Sequence, residues 1–442
     1  MKNALSAISW VSLYFVLCLA PLVIALAGRV PSDRPFLVEF SVALGFVGLS
    51  IMCLQFALVA RYKSVAAPFG IDALMRFHKQ ITWVAVVFVL GHPILLFIQD
   101  PHKYLPLLNV FTAPWRARFA VAAVVLLLVL VGLSIYRLKL KLSYEAWQLM
   151  HGLLAIGVVV LALLHMNGVG RYTGGFARRS LEDLYVGLLV FLLVWVRLVQ
   201  PVRRLRRPWT LVSVEPERGD SATMVLEPVG HAGFAFDPGQ FAWVIAGRSS
   251  FSITQHPFSL SSPGDLQPGG RIAVTVKANG DFSSSVRSLE PGMRVYLDGP
   301  HGVFSMDRYQ AMGYVFIGGG VGITPLMSML RTMHGRDDVR PVILFYASRH
   351  WDDVTFREEL ETLGDSMPNL TVVHVLSQPP PDWTGETGRI TADVLRRYLP
   401  TQYRRFEYFI CASDLMMDAM EQALVSVGVP FARVNTERFN FV

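Results

Sequence analysis

The chain has 442 residues, 52% of them hydrophobic and 17% charged, and its 40 Lys and Arg against 33 Asp and Glu give a formal charge of +7. That length accommodates two or three domains with cores of their own, and that composition is apolar for a soluble protein. The cations fall at the ends of apolar runs, which argues for a membrane surface and against nucleic acid, and Cys18, Cys53 and Cys411 lie too far apart for a zinc site or a disulfide framework.

Six segments before residue 200 are long and apolar enough to span a bilayer: about 4–28, 36–60, 78–98, 119–136, 146–166 and 183–200. The first follows Lys2 and ends near the small-residue run Ala25-Leu26-Ala27, so a cleaved signal peptide is its alternative. Its apolar core exceeds the ~7–15 residues of a signal peptide, and a retained span is expected. Cations stand between spans two and three (Arg61, Lys63, Arg76, Lys79), between four and five (Arg137, Lys139, Lys141) and after six (Arg203, Arg204, Arg206, Arg207). The other loops hold Arg29, Arg34, Lys103, Arg116, Arg118, Arg171, Arg178 and Arg179. The bias puts both termini in the cytoplasm, and loss of the first span would leave the C-terminus there.

Polar residues within spans are costly and informative. Span three contains His78 and His92, and span five contains His151 and His165, each pair 14 residues apart. In an α-helix that is a rise of about 21 Å and a rotation about 40° short of four turns, so each pair shares one face. Spans three and five run the same way across the membrane. His78 is therefore expected opposite His151 near the cytoplasmic side, and His92 opposite His165 near the outer side. A single membrane histidine is as well explained by an interhelical hydrogen bond or a proton relay. Two matched pairs at two depths suit two six-coordinate haem irons.

After Arg207 the pattern becomes short strands at about 209–214, 223–228, 241–246, 271–278 and 294–298, separated by Gly and Pro, as in a small antiparallel β-barrel. From residue 314 strands and helices alternate (314–317, 326–333, 342–346, 355–363), which reads as a doubly wound α/β domain. The expected domains are a six-helix membrane bundle over 1–203, a β-barrel over 204–308 and an α/β domain over 309–442. Gly318, Gly319, Gly320 and Gly322 follow an apolar strand and precede a helix, which lets backbone and helix N-terminus approach phosphate oxygens. The next strand ends at Ser348-Arg349, where an Arg accommodates the 2′-phosphate of NADPH; NADH stays possible, and a solvated surface arginine is the alternative.

The four histidines resemble the haem ligands of the ferric reductase and NADPH oxidase superfamily, whose membrane domain holds two b-type haems on its third and fifth spans; the layout is most similar to bacterial NADPH oxidases. The soluble half carries matching motifs: Pro238-Gly239-Gln240-Phe241, His256-Pro257-Phe258-Ser259, Val274-Thr275-Val276-Lys277 and Phe282-Ser283-Ser284 resemble the FAD-binding segments of the ferredoxin–NADP reductase family. The resemblance implies that His256, Pro257, Phe258 and Ser259 bind the flavin, that Lys277 and Ser283 serve its pyrophosphate, and that Thr324 and Cys411 lie by the nicotinamide. Ala412 and Ser413 stand where the family has Gly and Pro. Phe439, or alternatively Phe441, would be the terminal aromatic that stacks on the flavin and moves aside for nicotinamide.

The expected activity is electron transfer from cytosolic NADPH through FAD and two haems to an acceptor outside, in a bacterial inner membrane. Dioxygen, giving superoxide, is the first expectation. Ferric chelates, drawn by Lys103, Arg116, Arg118, Arg178 and Arg179, or a periplasmic protein partner are the alternatives. Two departures from the eukaryotic oxidases bear on superoxide: Leu96 replaces an additional His, and Glu39 stands where an Arg is usual; His102 in an outer loop is a candidate substitute. The basic run at 203–207 is expected to hold an anionic leaflet, or to act as a plain stop-transfer signal.

Overall fold

The computed structural model describes residues 2–27, 34–170, 176–247 and 249–438. It divides into two compact units, one running to Gln200 and the other beginning at Pro201.

In the first unit six helices are long and apolar enough to cross a membrane: Leu5–Ala27, Phe36–Val59, Ile71–Gln99, Trp115–Tyr136, Tyr144–Val169 and Asp183–Leu205. They are called spans one to six below. Span three begins well before the apolar run that announces it. Its first turns carry Asp72, Arg76 and Lys79, which depress any hydropathy reading, yet Asp72 pairs with Arg76 at 3.0 Å one turn on, and Ile71 and Leu74 are buried beside them. His78 thus sits two turns inside the helix. Spans two and three pack closely because glycine allows it: a Cβ on Gly48 would lie 2.9 Å from Val89 Cγ2 and 3.2 Å from the Val89 backbone nitrogen. Span six is not uniformly α-helical. Trp195–Val199 form a π-helical turn between α-helical Phe176–Val194 and Gln200–Leu205, a local widening that is common at functional positions.

The second unit opens with six antiparallel strands: β1 (Trp209–Glu217), β2 (Ser221–Pro228), β3 (Phe241–Ala246), β4 (His256–Ser259), β5 (Ile272–Lys277) and β6 (Arg294–His301). Their spatial order is β4-β3-β6-β1-β2-β5. Inward residues such as Leu211, Met224, Val244, Val274 and Val295 form the core of this sheet, as period-2 alternation demands. Six parallel strands follow: β7 (Tyr314–Gly319), β8 (Val342–Ser348), β9 (Leu370–Leu376), β10 (Glu386–Thr387), β11 (Glu407–Cys411) and β12 (Val434–Thr436). Their order is β10-β9-β8-β7-β11-β12. Strands β7, β8 and β11 are apolar along nearly their whole length because helices cover both faces of the sheet. Ile323–Gly335 and Arg357–Ser366 build one core, and Ala392–Tyr398 and Asp414–Val427 the other.

The basic run divides by function. Arg203, Arg206 and Arg207 are exposed, but Arg204 is only 8% exposed. Its Nη1 donates to Asp298 Oδ2 at 2.8 Å, Asp298 Oδ1 lies 3.4 Å from His301 Nε2, and Ser250 Oγ donates to the Pro201 carbonyl at 2.8 Å. Arg204 therefore anchors residues 201–205 to the antiparallel sheet instead of facing a leaflet. Removing one member of a buried ion pair costs about 3–5 kcal/mol. Arg204→Ala should lower the thermal unfolding midpoint of the purified protein clearly, whereas Arg206→Ala should change stability by no more than about 0.5 kcal/mol.

Candidate functional site

The four membrane histidines meet in pairs. The His78 and His151 ring centres are 6.4 Å apart, and so are those of His92 and His165. Taking a metal–imidazole bond of about 2.0–2.1 Å and a nitrogen about 1.1 Å from its ring centre, two imidazoles on opposite sides of one metal ion have centres about 6.3 Å apart. Among the described residues no group of three or more His, Cys, Asp or Glu could hold a metal. A porphyrin needs no such group, because it supplies the other four nitrogens itself.

Each imidazole is also held from behind by Nδ1. His92 Nδ1 donates to the Ser41 carbonyl at 2.9 Å, and His165 Nδ1 donates to the Arg116 carbonyl at 2.8 Å. His78 Nδ1 lies 2.5 Å from Gln55 Oε1. His151 Nδ1 lies 3.2 Å from Ser134 Oγ, whose own proton goes to the Leu130 carbonyl at 2.8 Å, so Ser134 accepts here. The partners of Nδ1 are thus all acceptors. The proton is placed on Nδ1 and the lone pair on Nε2, the arrangement that suits a metal ligand. Gly45 faces the His92 ring, whose Cγ lies 3.4 Å from the position a Cβ would take, ordinary van der Waals contact. The residues present fit two haem irons.

In the second unit the glycine turn lies where the parallel sheet reverses its strand order. Strands β8, β9 and β10 lie on one side of β7, and β11 and β12 on the other, which makes the carboxyl ends of β7 and β11 a crevice of the kind where such sheets bind ligands. Gly318 pairs with Cys411 across those strands. Gly320 takes a positive φ of 54°, and a Cβ on Gly322 would lie 2.0 Å from the Cys411 carbonyl oxygen, so glycine is required at both. Thr324, 2% exposed, starts the next helix and donates to the Val321 carbonyl at 2.8 Å. Cys411 is 4% exposed, and its thiol is pushed well above the usual range by burial first and by Glu437 second. The glycine turn, Thr324 and Cys411 are therefore neighbours.

Ser348 ends β8 with its hydroxyl buried and unpartnered, and Arg349 after it is exposed. Near them His374, Trp351 and Trp383 form an aromatic group, with ring centres 5.0 Å apart from His374 to Trp351 and from Trp351 to Trp383. Burial, and then Arg357, lower the His374 pKa to about 4, so the ring is neutral at physiological pH.

His256, Pro257, Phe258 and Ser259 form β4 at the sheet edge, paired with β3. The rings of His256 and Phe282 stack at 4.0 Å and 9°, and Phe258 stacks on Phe282 at 5.9 Å. Phe282 thus joins the flavin-motif residues, although sequence reasoning selected its neighbour Ser283. Ser283 Oγ accepts from the Asn279 and Gly280 N–H groups at 3.0 Å each and donates to the Gly280 carbonyl at 3.1 Å, so it caps its own turn. Lys277 ends β5 opposite Ser221. Glu437 was also missed: it is 5% exposed, and its Oε1 would lie 2.7 Å from a Cβ on Gly302. Its negative charge disfavours the Cys411 thiolate, a long-range influence that no local pattern signals. Phe439 and Phe441 lie outside the described residues.

Residues 44–162 match the family described as ferric reductase like transmembrane component, and residues 316–422 match the oxidoreductase NAD-binding domain. The propane 2-monooxygenase reductase component of Rhodococcus jostii (strain RHA1) is 30% identical over 238 residues, which is 51% of this chain and 61% of that protein. The match therefore spans less than two thirds of that relative. Ferredoxin–NADP reductase B of Sorangium cellulosum (strain So ce56) is 29% identical over 240 residues, 52% of this chain and 96% of that protein. The crystal structure of the Amycolatopsis cytochrome P450 reductase GcoB aligns with a TM-score of 0.46 and 23% identity, covering 53% of this chain and 69% of that one. The two family matches and the sequence relatives support FAD and NAD(P)H binding and NAD(P)H-driven electron transfer in a multi-pass membrane protein. The chain joins a ferric-reductase-like transmembrane component to an FAD/NAD-binding oxidoreductase half, a ferric reductase/NADPH oxidase-like layout.

Proposed function

We propose that the chain carries electrons from cytosolic NADPH, by way of FAD and two b-type haems, to an acceptor on the outer face of a bacterial inner membrane, and that the acceptor is dioxygen, giving superoxide. The observation that carries this reading is the pair of imidazole pairs, each with ring centres 6.4 Å apart and each ring tethered through Nδ1. Both termini face the cytoplasm in this reading, which places the His78/His151 level on the inner side.

When bound, FAD takes the two electrons of a hydride and releases them singly to haem iron, and this is the chemistry the cofactors supply. The residues position and insulate. His78 and His151 would hold the inner iron and His92 and His165 the outer one, while Gln55, Ser134, Ser41 and the Arg116 carbonyl fix their tautomers and planes. In the soluble half, Gly318, Gly319, Gly320 and Gly322 bring backbone close to the nucleotide phosphates. Thr324 and Cys411 would flank the nicotinamide, where burial keeps the thiol uncharged. His256, Pro257, Phe258 and Ser259 would cover the flavin, Lys277 and the turn that Ser283 caps would lie toward its pyrophosphate, and Phe439 would cap the ring. Ser348 and Arg349 would select the 2′-phosphate.

The exchange of either outer ligand, as in His92→Ala or His165→Ala, should remove one haem equivalent and leave one, read from the pyridine haemochrome of purified protein. Loss of neither haem would overturn the assignment. For the acceptor, NADPH-dependent reduction of cytochrome c that superoxide dismutase suppresses is the expected result. Reduction of ferric chelates alone would instead assign a metal reductase, and dependence on an added protein would assign an electron donor to a periplasmic partner. A charge-assisted hydrogen bond contributes about 1.5–3 kcal/mol, so Arg349→Ala should lower kcat/KM for NADPH by roughly ten- to a hundredfold and hardly affect NADH. Equal losses with both nucleotides would remove Arg349 from the 2′-phosphate site.

A further inference from the structure

A second group of polar residues surrounds the inner histidine pair, and the account so far gives it no task. Arg197 lies within span six, on the π-helical turn Trp195–Val199. An arginine in a span is expensive unless an anion meets it. Its Nη2 lies 3.5 Å from the position a Cβ would take on Gly152, the residue that follows His151. Arg137, just past span four, lies over the Trp147 ring at 5.4 Å, and the Trp147 ring centre is 5.2 Å from that of His151. Among the described residues neither guanidinium has a carboxylate partner.

The hydrogen-bonding groups nearby are unbalanced in one direction. Arg137 Nε, Trp147 Nε1, Gln55 Nε2 and Tyr62 OH are all buried without a partner, and all four can donate. Gln55 is the residue that holds His78, and Tyr62 packs on Trp195 of the π-helical turn at 5.8 Å. Only Gln148 Oε1 is an unpartnered acceptor among these neighbours. Buried donors left unpaired are costly, so a cluster of two guanidinium groups, an indole N–H, an amide N–H and a phenol hydroxyl is suited to an anionic oxygen ligand. The carboxylates of a porphyrin and the phosphate of a lipid share that chemistry.

We propose that Arg197 and Arg137 bind the propionate carboxylates of the porphyrin held at the His78/His151 level, and thereby raise the reduction potential of that haem alone. The inference rests on the proposed haem at this level. A cation beside the iron favours the ferrous form, which carries one positive charge fewer than the ferric form. The π-helical turn brings the Arg197 guanidinium to span five, 3.5 Å from the Gly152 Cβ position, while the rest of the side chain stays exposed.

The test is a potentiometric titration of the purified full-length protein, following the α-band absorbance of both haems. Arg197→Gln should lower the midpoint of one haem by the equivalent of a tenfold change in its equilibrium, 59 mV for one electron, and leave the other unmoved. Arg137→Gln should act in the same direction, and Arg197→Lys should restore most of the potential. Loss of one haem from Arg197→Gln that Arg197→Lys prevents would also support the assignment. Lys139→Gln removes the same charge from the loop that holds Arg137 and should change nothing. Protein assembled with the dimethyl ester of haem separates the two anion sources, because the wild type should then bind that haem more weakly and Arg197→Gln should weaken it no further. Wild-type binding that the ester leaves unchanged would assign the arginines to lipid phosphate and overturn the proposal. An unmoved midpoint in Arg197→Gln with both haems bound would also overturn it. Wild-type protein lacking haem would instead sink the reading on which it rests.

Discussion

Each of the four paired histidines among the described spans gives up its Nδ1 to the bundle, and the proposed electron path depends on that constraint. A free imidazole in an apolar helix core would rotate, or bury a donor at a cost, and would offer either nitrogen to a ligand. Tied to Gln55, Ser41, Ser134 and the Arg116 carbonyl, each ring has one plane and one lone pair to present. All four partners come from spans two and four, so helices that carry none of the histidines decide how the rings on spans three and five stand. The close packing of span two at Gly48 is part of the same device, because a side chain there would press on Val89 of span three.

The soluble half relies on a comparable economy of placement. Two sheets of opposite strand logic share one unit, and the glycine turn, Cys411 and Ser348 gather at the carboxyl ends of the parallel strands, whereas His256, Pro257, Phe258 and Ser259 run along the edge strand β4. The turn after β7 can approach β11 so closely only because Gly322 has no Cβ to meet the Cys411 carbonyl. Burial then keeps that thiol neutral, and Glu437 reinforces the effect from a distant part of the chain. Arg204 performs a different service, turning inward from a basic run whose other members stay in solvent.

Much of this was legible in the sequence because it is periodic. The 14-residue spacing of the histidines fixes a helix face whatever the surroundings, and apolar length alone marks six spans. The glycine turn between strand and helix is equally local. What was not legible depends on charge context or on tertiary contact. The start of span three is masked by Asp72 and Arg76, which neutralise each other once the helix forms. Gln55 and Ser134 are ordinary residues until another span comes beside them. Arg204 could not be told from Arg203 by composition, since only the fold turns one of them inward. Ser283 and Phe282 show a finer limit, for the motif marks the right turn, while the hydroxyl caps the backbone and the neighbouring ring takes the stacking position.

The most direct measurement of the central claim is low-temperature electron paramagnetic resonance of the oxidised, purified protein, with haem and protein quantified in the same sample. Two haems per chain, both low-spin ferric with the anisotropy of bis-imidazole ligation, are the predicted result. High-spin iron, or fewer than two haems in fully folded protein, would contradict an account in which both imidazole pairs close on a metal.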